Sequence, residues 1–178
     1  MKRKTPIYFF TILVFLFVFS LIGFGEEEYT FRKTRWGMSK EEVKQSEGRE
    51  PTYEEEDGMA YTGEKIADLE VCLFYYFLED KLYRAAYQVT EKHAFENKYI
   101  EDYKKLKELL MKKYGEPFVD REIWENDLYK DDPERWGFAI SIGHLKYVAG
   151  WATDSTEIGL MLAGDNYEIN LMILYQSK

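Results

Sequence analysis

The sequence is poor in cysteine and proline, and each shortage excludes a class of protein. Cys72 is the only cysteine, so no intramolecular disulfide can form and core packing must supply the stability. No cysteine stands at the end of the N-terminal apolar run to accept a lipid, which excludes a typical lipoprotein. The chain has 4 prolines and 17% aromatic residues, a balance that argues against disorder and favours a sheet-rich fold.

Basic residues are also scarce relative to acidic ones. The formal net charge is −9, and losing residues 1–25, which hold three basic and no acidic residues, would make it −12. Such a chain repels phosphate backbones and anionic lipid headgroups, so we expect no nucleic-acid partner. The acidic runs at residues 54–57 and 131–132 lack the spacing of a calcium loop. We therefore expect neither a metal nor another cofactor.

Motifs for catalysis are missing as well. The sequence contains no glycine-rich phosphate loop and no nucleophile elbow. His93 and His144 are the only histidines, and no third metal ligand stands at a recognisable spacing from them. Their positions in the sequence also do not place either one beside Cys72 as a base that could activate its thiol. We interpret Cys72 as structural and the two histidines as surface or sheet-edge residues, and we predict that the protein is not an enzyme.

The first 25 residues have the layout of an export signal. A basic start precedes an apolar run over residues 7–24, and Gly23 and Gly25 are the small residues expected before a cleavage site at Glu26. The run is near the lower length limit of a membrane span, so it could also remain as an uncleaved anchor. Either outcome places the rest of the chain outside the cytoplasm. We predict a secreted or cell-envelope protein that reaches the membrane only through residues 7–24.

Residues 26–178 have the size of one domain, which we predict to be α+β with two helices on one face of an antiparallel sheet. A capping box of Ser39 and Glu42 begins a short helix that Gly48 ends. An apolar stripe at helical spacing predicts a second helix over residues 97–114. Strands are predicted over residues 29–32, 52–56, 59–63, 67–78, 82–89, 118–126, 135–142, 146–153, 156–163 and 167–176.

An echo within the sequence indicates two tandem units, each a helix followed by a meander. The pattern Glu-Val-x-Leu-Phe at residues 70–74 returns as Glu-Ile-x-Leu-Met at residues 157–161, and a downstream Tyr-Gln pair also returns. Chance similarity between apolar strands is the alternative. The two units span residues 29–90 and 97–177.

Strand alternation predicts which side chains face the helices. Over residues 71–77 the odd-numbered side chains are assigned to the helix side and the even-numbered ones to the far side. The far side is too apolar for a bare solvent surface, so we predict that it binds a protein. The predicted binding residues are Cys72, Phe74, Tyr76, Arg84, Gln88, Met161, Asn170, Met172, Leu174 and Gln176.

Three segments resemble a group of small exported bacterial domains: Trp-Gly-Met-Ser-Lys-Glu-Glu-Val at residues 36–43, the hairpin at residues 77–83, and Lys-Tyr-Gly-Glu-Pro at residues 113–117. The group includes the β-lactamase inhibitor protein and the SmpA/OmlA-type outer-membrane assembly lipoproteins. The resemblance implies tandem helix-plus-sheet repeats whose sheet face binds another protein. The lipid-accepting cysteine of the lipoproteins is absent, and the disulfides of the inhibitor are impossible with Cys72 alone. Neither inhibition nor an assembly role is therefore implied.

The function predicted from the sequence is a non-enzymatic interaction module outside the cytoplasm. Its partner is another extracytoplasmic protein or a second copy of the chain. The alternative is a small-ligand or cell-wall-glycan binding protein that stacks its ligand on Trp124, Trp136 and Trp151 near strand ends.

Overall fold

A computed structural model describes residues 29–178, so the predicted export signal lies outside the described residues. An eight-stranded antiparallel sheet forms the body of the domain, and three helices pack against one of its faces. The protein is therefore α+β, as predicted. Within residues 29–178, no helix is at once long enough and apolar enough to cross a bilayer.

A helix followed by four strands occurs twice along the chain. The first set is α1 (Lys40–Glu47), β1 (Tyr53–Glu54), β2 (Gly58–Ile66), β3 (Leu69–Leu78) and β4 (Lys81–Val89). The second set is α2 (Asn97–Tyr114), β5 (Val119–Trp124), β6 (Leu145–Ala152), β7 (Thr156–Asp165) and β8 (Glu168–Ser177). Two 3-10 turns (Asp127–Tyr129 and Pro133–Arg135) and the short helix α3 (Trp136–Ser141) interrupt the second set after β5.

Strands β4 and β8 meet at the centre of the sheet, whose order is β1-β2-β3-β4-β8-β7-β6-β5. Ala86 lies opposite Leu174 in this antiparallel pair. In the sequence echo, Tyr87 corresponds to Tyr175, and with the same spacing Ala86 corresponds to Leu174. The β4–β8 pairing is therefore centred on two residues that occupy equivalent positions in the two halves. This register is compatible with tandem repeats, which remain a prediction.

The helix side of the sheet holds the hydrophobic core. On β3, the odd-numbered side chains from Val71 to Phe77 are no more than 3% exposed, which confirms the predicted alternation. They belong to one buried cluster with Leu106 and Leu110 of α2 and Val43 of α1. Because each Å² of apolar surface removed from water contributes roughly 25 cal/mol, this layer dominates the stability.

Capping and an ion pair at its end fix α1, which is too short to be stable by itself. The predicted capping box is confirmed: the Ser39 N–H donates to Glu42 Oε2 over 2.8 Å, and the Glu42 N–H donates to Ser39 Oγ over 3.3 Å. These bonds, led by the Ser39 backbone N–H, lower the pKa of Glu42. At the other end, Glu47 pairs with Arg32 at 3.1 Å and accepts a hydrogen bond from the Tyr75 hydroxyl. The helix is thereby attached to β3.

The predicted strand over residues 135–142 is wrong, because this segment forms α3. Its apolar side chains alternate as in a strand, but contacts with the start of α2 decide its conformation. The Gly137 N–H donates to Asn97 Oδ1 over 2.6 Å, and Asn97 Nδ2 donates to the Pro133 carbonyl over 3.0 Å. A Cβ at Gly137 would come within 2.3 Å of the Asn97 backbone nitrogen, so only glycine permits this approach.

The predicted strand over residues 29–32 is also wrong. A single bridge joins Phe31 to Thr34 and closes a tight turn, in which Arg32 has a φ of 51°. The turn buries Phe31 in the core and directs Arg32 toward Glu47. The segment therefore contributes one anchor residue and one ion-pair residue rather than a strand.

The two faces of β3 differ in what they contribute to stability. We expect Leu73→Ser to lower the free energy of unfolding by roughly 4–5 kcal/mol, because a fully buried leucine is replaced by a cavity and a hydroxyl. Phe74→Ser, at a half-buried site on the far side, should cost only about 1–2 kcal/mol. Urea denaturation of both variants measures the difference. Equal losses would contradict the assignment of the two faces.

Candidate functional site

The sheet surface opposite the helices, called the far face below, carries all ten residues of the predicted binding site. Strand pairing arranges most of them in rows that run across β3, β4, β8, β7 and β6. The central row is Phe74, Ala86, Leu174, Gly159 and Gly150. The methionine row is Cys72, Gln88, Met172, Met161 and Val148. The charged row is Tyr76, Arg84, Gln176, Glu157 and Ala152.

The far face is apolar and largely uncovered within residues 29–178. The three helices lie on the other side, and the Phe118 ring lies over Gly150, where a Cβ would come within 3.4 Å of it. Met161 is 38% exposed, Phe118 is 70% exposed, and Leu174 and Met172 are half-buried. The apolar surface that these side chains leave in water contributes to stability only when another surface covers it.

An aromatic groove occupies one end of the far face. The rings of Phe74 and Tyr76 lie side by side with centroids 6.2 Å apart and planes inclined by 17°. Together with the exposed ring of Tyr53 they line a groove of about 430 Å³, with Glu55 and Asp57 at its margin. Partial burial raises the pKa of Tyr76 above its ordinary value.

The charged row places one cation and one anion on either side of Gln176. Arg84 donates to Gln176 Oε1 from Nε over 3.1 Å and from Nη2 over 2.6 Å, which holds the guanidinium against the sheet. Glu157, opposite Gln176 on the next strand, is exposed. Its carboxylate has no hydrogen-bond or ion-pair partner in the described part of the chain. The row therefore offers a fixed positive group and an unpaired negative group.

Three predicted members of the site differ in their accessibility. Cys72 lies on the far face but is only 8% exposed, and burial raises the pKa of its thiol, which disfavours a role as nucleophile. Gln88 is half-buried and donates weakly to the Leu171 carbonyl over 3.4 Å. Asn170 is exposed beyond the methionine row. Cys72 therefore fills space between neighbours, while Asn170 and Gln88 border the apolar surface.

A buried histidine–aspartate pair is the feature that the sequence reasoning missed. His93 Nε2 lies 2.5 Å from Asp102 Oδ2, and the two side chains are 12% and 6% exposed. The His93 ring packs edge-on against Tyr99, whose hydroxyl accepts the His93 N–H over 3.2 Å. Asp102 lies on the buried stripe of α2 between Tyr99 and Leu106. A carboxylate at a core-facing helical position was the signal in the sequence that a buried polar partner is present. The pair fastens the loop before α2 to the helix.

The second histidine lies in another aromatic environment. The His144 ring stacks on Tyr129 with centroids 6.0 Å apart. In the part of the chain that the structure describes, no three His, Cys, Asp or Glu side chains are grouped so that they could hold a metal ion.

The three tryptophans of the alternative site do not form one stacking platform. Trp124 and Trp136 meet edge to face with centroids 5.8 Å apart, and both are half-buried. Trp151 is 2% exposed, faces the core and donates to the Gly115 carbonyl over 2.8 Å. It lies at the opposite end of β6 from Leu145, the residue that pairs with Trp124.

Comparison of the chain with protein-family models, with curated proteins and with solved structures finds no match. The resemblance to the small exported bacterial domains therefore remains a prediction. The candidate site depends on the geometry of the far face alone.

The His93–Asp102 pair should be coupled in stability. We expect His93→Ala to lower the free energy of unfolding by about 2–4 kcal/mol, because it leaves the Asp102 carboxylate buried without a partner. The double variant His93→Ala/Asp102→Ala should lose at least about 1 kcal/mol less than the sum of the single variants. Chemical denaturation of all four proteins closes this cycle, and additive losses would show that the contact contributes nothing.

Proposed function

We propose that the protein is an exported, non-enzymatic interaction module that binds another protein molecule through the far face. The observation that carries the proposal is the apolar far face, on which Met161 is 38% exposed and Phe74, Tyr76, Met172 and Leu174 are only half-buried. The solvent-facing side of an antiparallel sheet normally carries polar residues. A retained apolar surface of this extent is typical of a protein-binding site.

The composition of the far face favours a protein partner over a small ligand. Phe74 and Tyr76 supply large, rigid contact areas, and Met161 and Met172 adapt to an opposing surface. Arg84 and Gln176 add polar contacts that fix orientation. A broad apolar centre with a polar border is the usual anatomy of a protein interface, whereas a small ligand is enclosed by a deeper pocket.

The place of action follows from the N-terminal sequence. The basic start and apolar run of residues 1–25 support export, and a chain with one buried cysteine needs no particular redox environment. If residues 7–24 are retained, they hold the module at the outer side of the membrane. The resemblance to exported domains that bind proteins through a sheet face agrees with this role.

Thiol labelling in intact cells tests the proposal. In a Cys72→Ser background, Met161→Cys places a thiol on the far face, and Ala94→Cys places one on the exposed loop before α2 as a matched control. We expect a membrane-impermeant maleimide to label the control readily. It should label Met161→Cys at least about threefold more slowly in cells than in dilute purified protein, because a partner covers the far face.

Two results would overturn the proposal. For each thiol, the labelling rate in cells is divided by the rate in purified protein. If this ratio is the same for Met161→Cys and Ala94→Cys, nothing covers the far face. A control thiol that reacts only after cell lysis would show that the domain is not outside the cytoplasm.

A further inference from the structure

We infer that the partner on the far face is a second copy of the chain, docked face to face about a two-fold axis that runs along β8. The inference rests on the proposed function and specifies its occupant. It follows from how charges and side-chain sizes are distributed over the three rows on either side of β8.

The charged row is self-complementary about β8. Because β4 and β7 flank β8, a two-fold axis along β8 places β4 of one copy over β7 of the other. Arg84 of each copy then faces Glu157 of the partner subunit, with Gln176 on the axis between the two ion pairs. Gln176 already holds the Arg84 guanidinium, and the Glu157 carboxylate has no partner within residues 29–178. The docking supplies the missing partner on both sides.

The sizes of the apolar side chains also match across this axis. Leu174 and Met172 lie on β8 and meet their own copies, while Ala86 on β4 comes over Gly159 on β7. A Cβ at Gly159 would have no neighbour within 4 Å, so space is open above it. On the next strands outward, the large Tyr76 comes over the small Ala152. Apart from the Arg84–Glu157 ion pair, and from Gln88, which comes over Met161, large side chains therefore meet small ones or themselves, as close packing requires.

The aromatic groove gains a partner in the same arrangement. Phe74 on β3 comes over Gly150 on β6, where the Phe118 ring lies. Phe118 is 70% exposed, and contact between the two rings in each half of the dimer would bury both.

The net charge of the chain does not oppose this contact. Within the three rows from β2 to β5, the charged residues are Arg84, Glu157 and Arg121, which lies opposite Val148 on β5, so each copy contributes a net charge of +1 to the contact. The acidic excess of the protein therefore lies outside the contact, where solvent and salt screen it. Because two of the three charged residues pair across the axis, this largely apolar surface fits a second copy of itself better than it fits a strongly basic partner.

The available area is sufficient for a stable dimer. β8 is fifth in the order of eight strands, so the axis superposes seven strands of each sheet. Seven strands about 4.8 Å apart and three rows of same-face residues cover roughly 700 Å² per copy, or about 1,400 Å² in total. Stable protein interfaces bury about 1,200–2,000 Å².

Charge reversal combined with mixing tests the geometry. Arg84→Glu and Glu157→Arg each place like charges opposite one another in a homodimer, so we expect each variant to dimerise at least tenfold more weakly than the wild type. Mixing the two variants should restore a heterodimer, because both pairs in it again join opposite charges. Arg135→Glu, which changes the charge equally on the exposed helix side, is the control and should dimerise normally.

Sedimentation velocity of the purified exported protein over about 1–100 µM gives the readout, and circular dichroism confirms that each variant is folded. A wild type that is monomeric throughout overturns the inference, as does a mixture that fails to recover dimers. These failures are distinguishable from failure of the proposed function. A monomer whose Met161→Cys thiol is still shielded in cells points to a different protein on the far face.

Discussion

The antiparallel pairing of β4 with β8 is the contact on which the rest of the architecture depends. It joins two four-stranded meanders into one sheet and thereby aligns their faces. Side chains alternate along a strand, so the pairing of Ala86 with Leu174 decides which face each half presents to the helices. If the register shifted by one residue, the core-facing side chains of one half would lie on the far face of the sheet. A continuous core and a continuous far face both require this register.

The apolar residues on the two faces of the sheet differ in how far they are buried. On the helix side, Leu73 and Tyr75 are fully buried beneath the helices, and their removal from water stabilises the domain. On the far side, Phe74 and Tyr76 remain half-buried, so a large part of their hydrophobic free energy is realised only when another surface covers them. Stability is thus carried by one set of alternate residues of β3, and the proposed binding by the other set.

The sequence predicted the regular elements better than the connections between them. α2 was predicted over its full length because its apolar stripe repeats at helical spacing, and the capping box marked the start of α1. The segment that forms α3 was misread because Gly137 and Asn97, distant in sequence, determine its conformation. The His93–Asp102 pair was missed because its one signal in the sequence, a carboxylate on the buried stripe of α2, does not reveal that the preceding loop brings His93 to it.

Local patterns in the sequence determined which side chains of each strand share a face, because alternation is a property of the strand itself. They also determined that no disulfide supports the fold, because Cys72 is alone. Only the tertiary structure decided which strands are neighbours, and therefore that Arg84 lies beside Gln176 across 92 positions of the chain. Strand pairing over such distances depends on the packing of the whole core, which no local periodicity encodes.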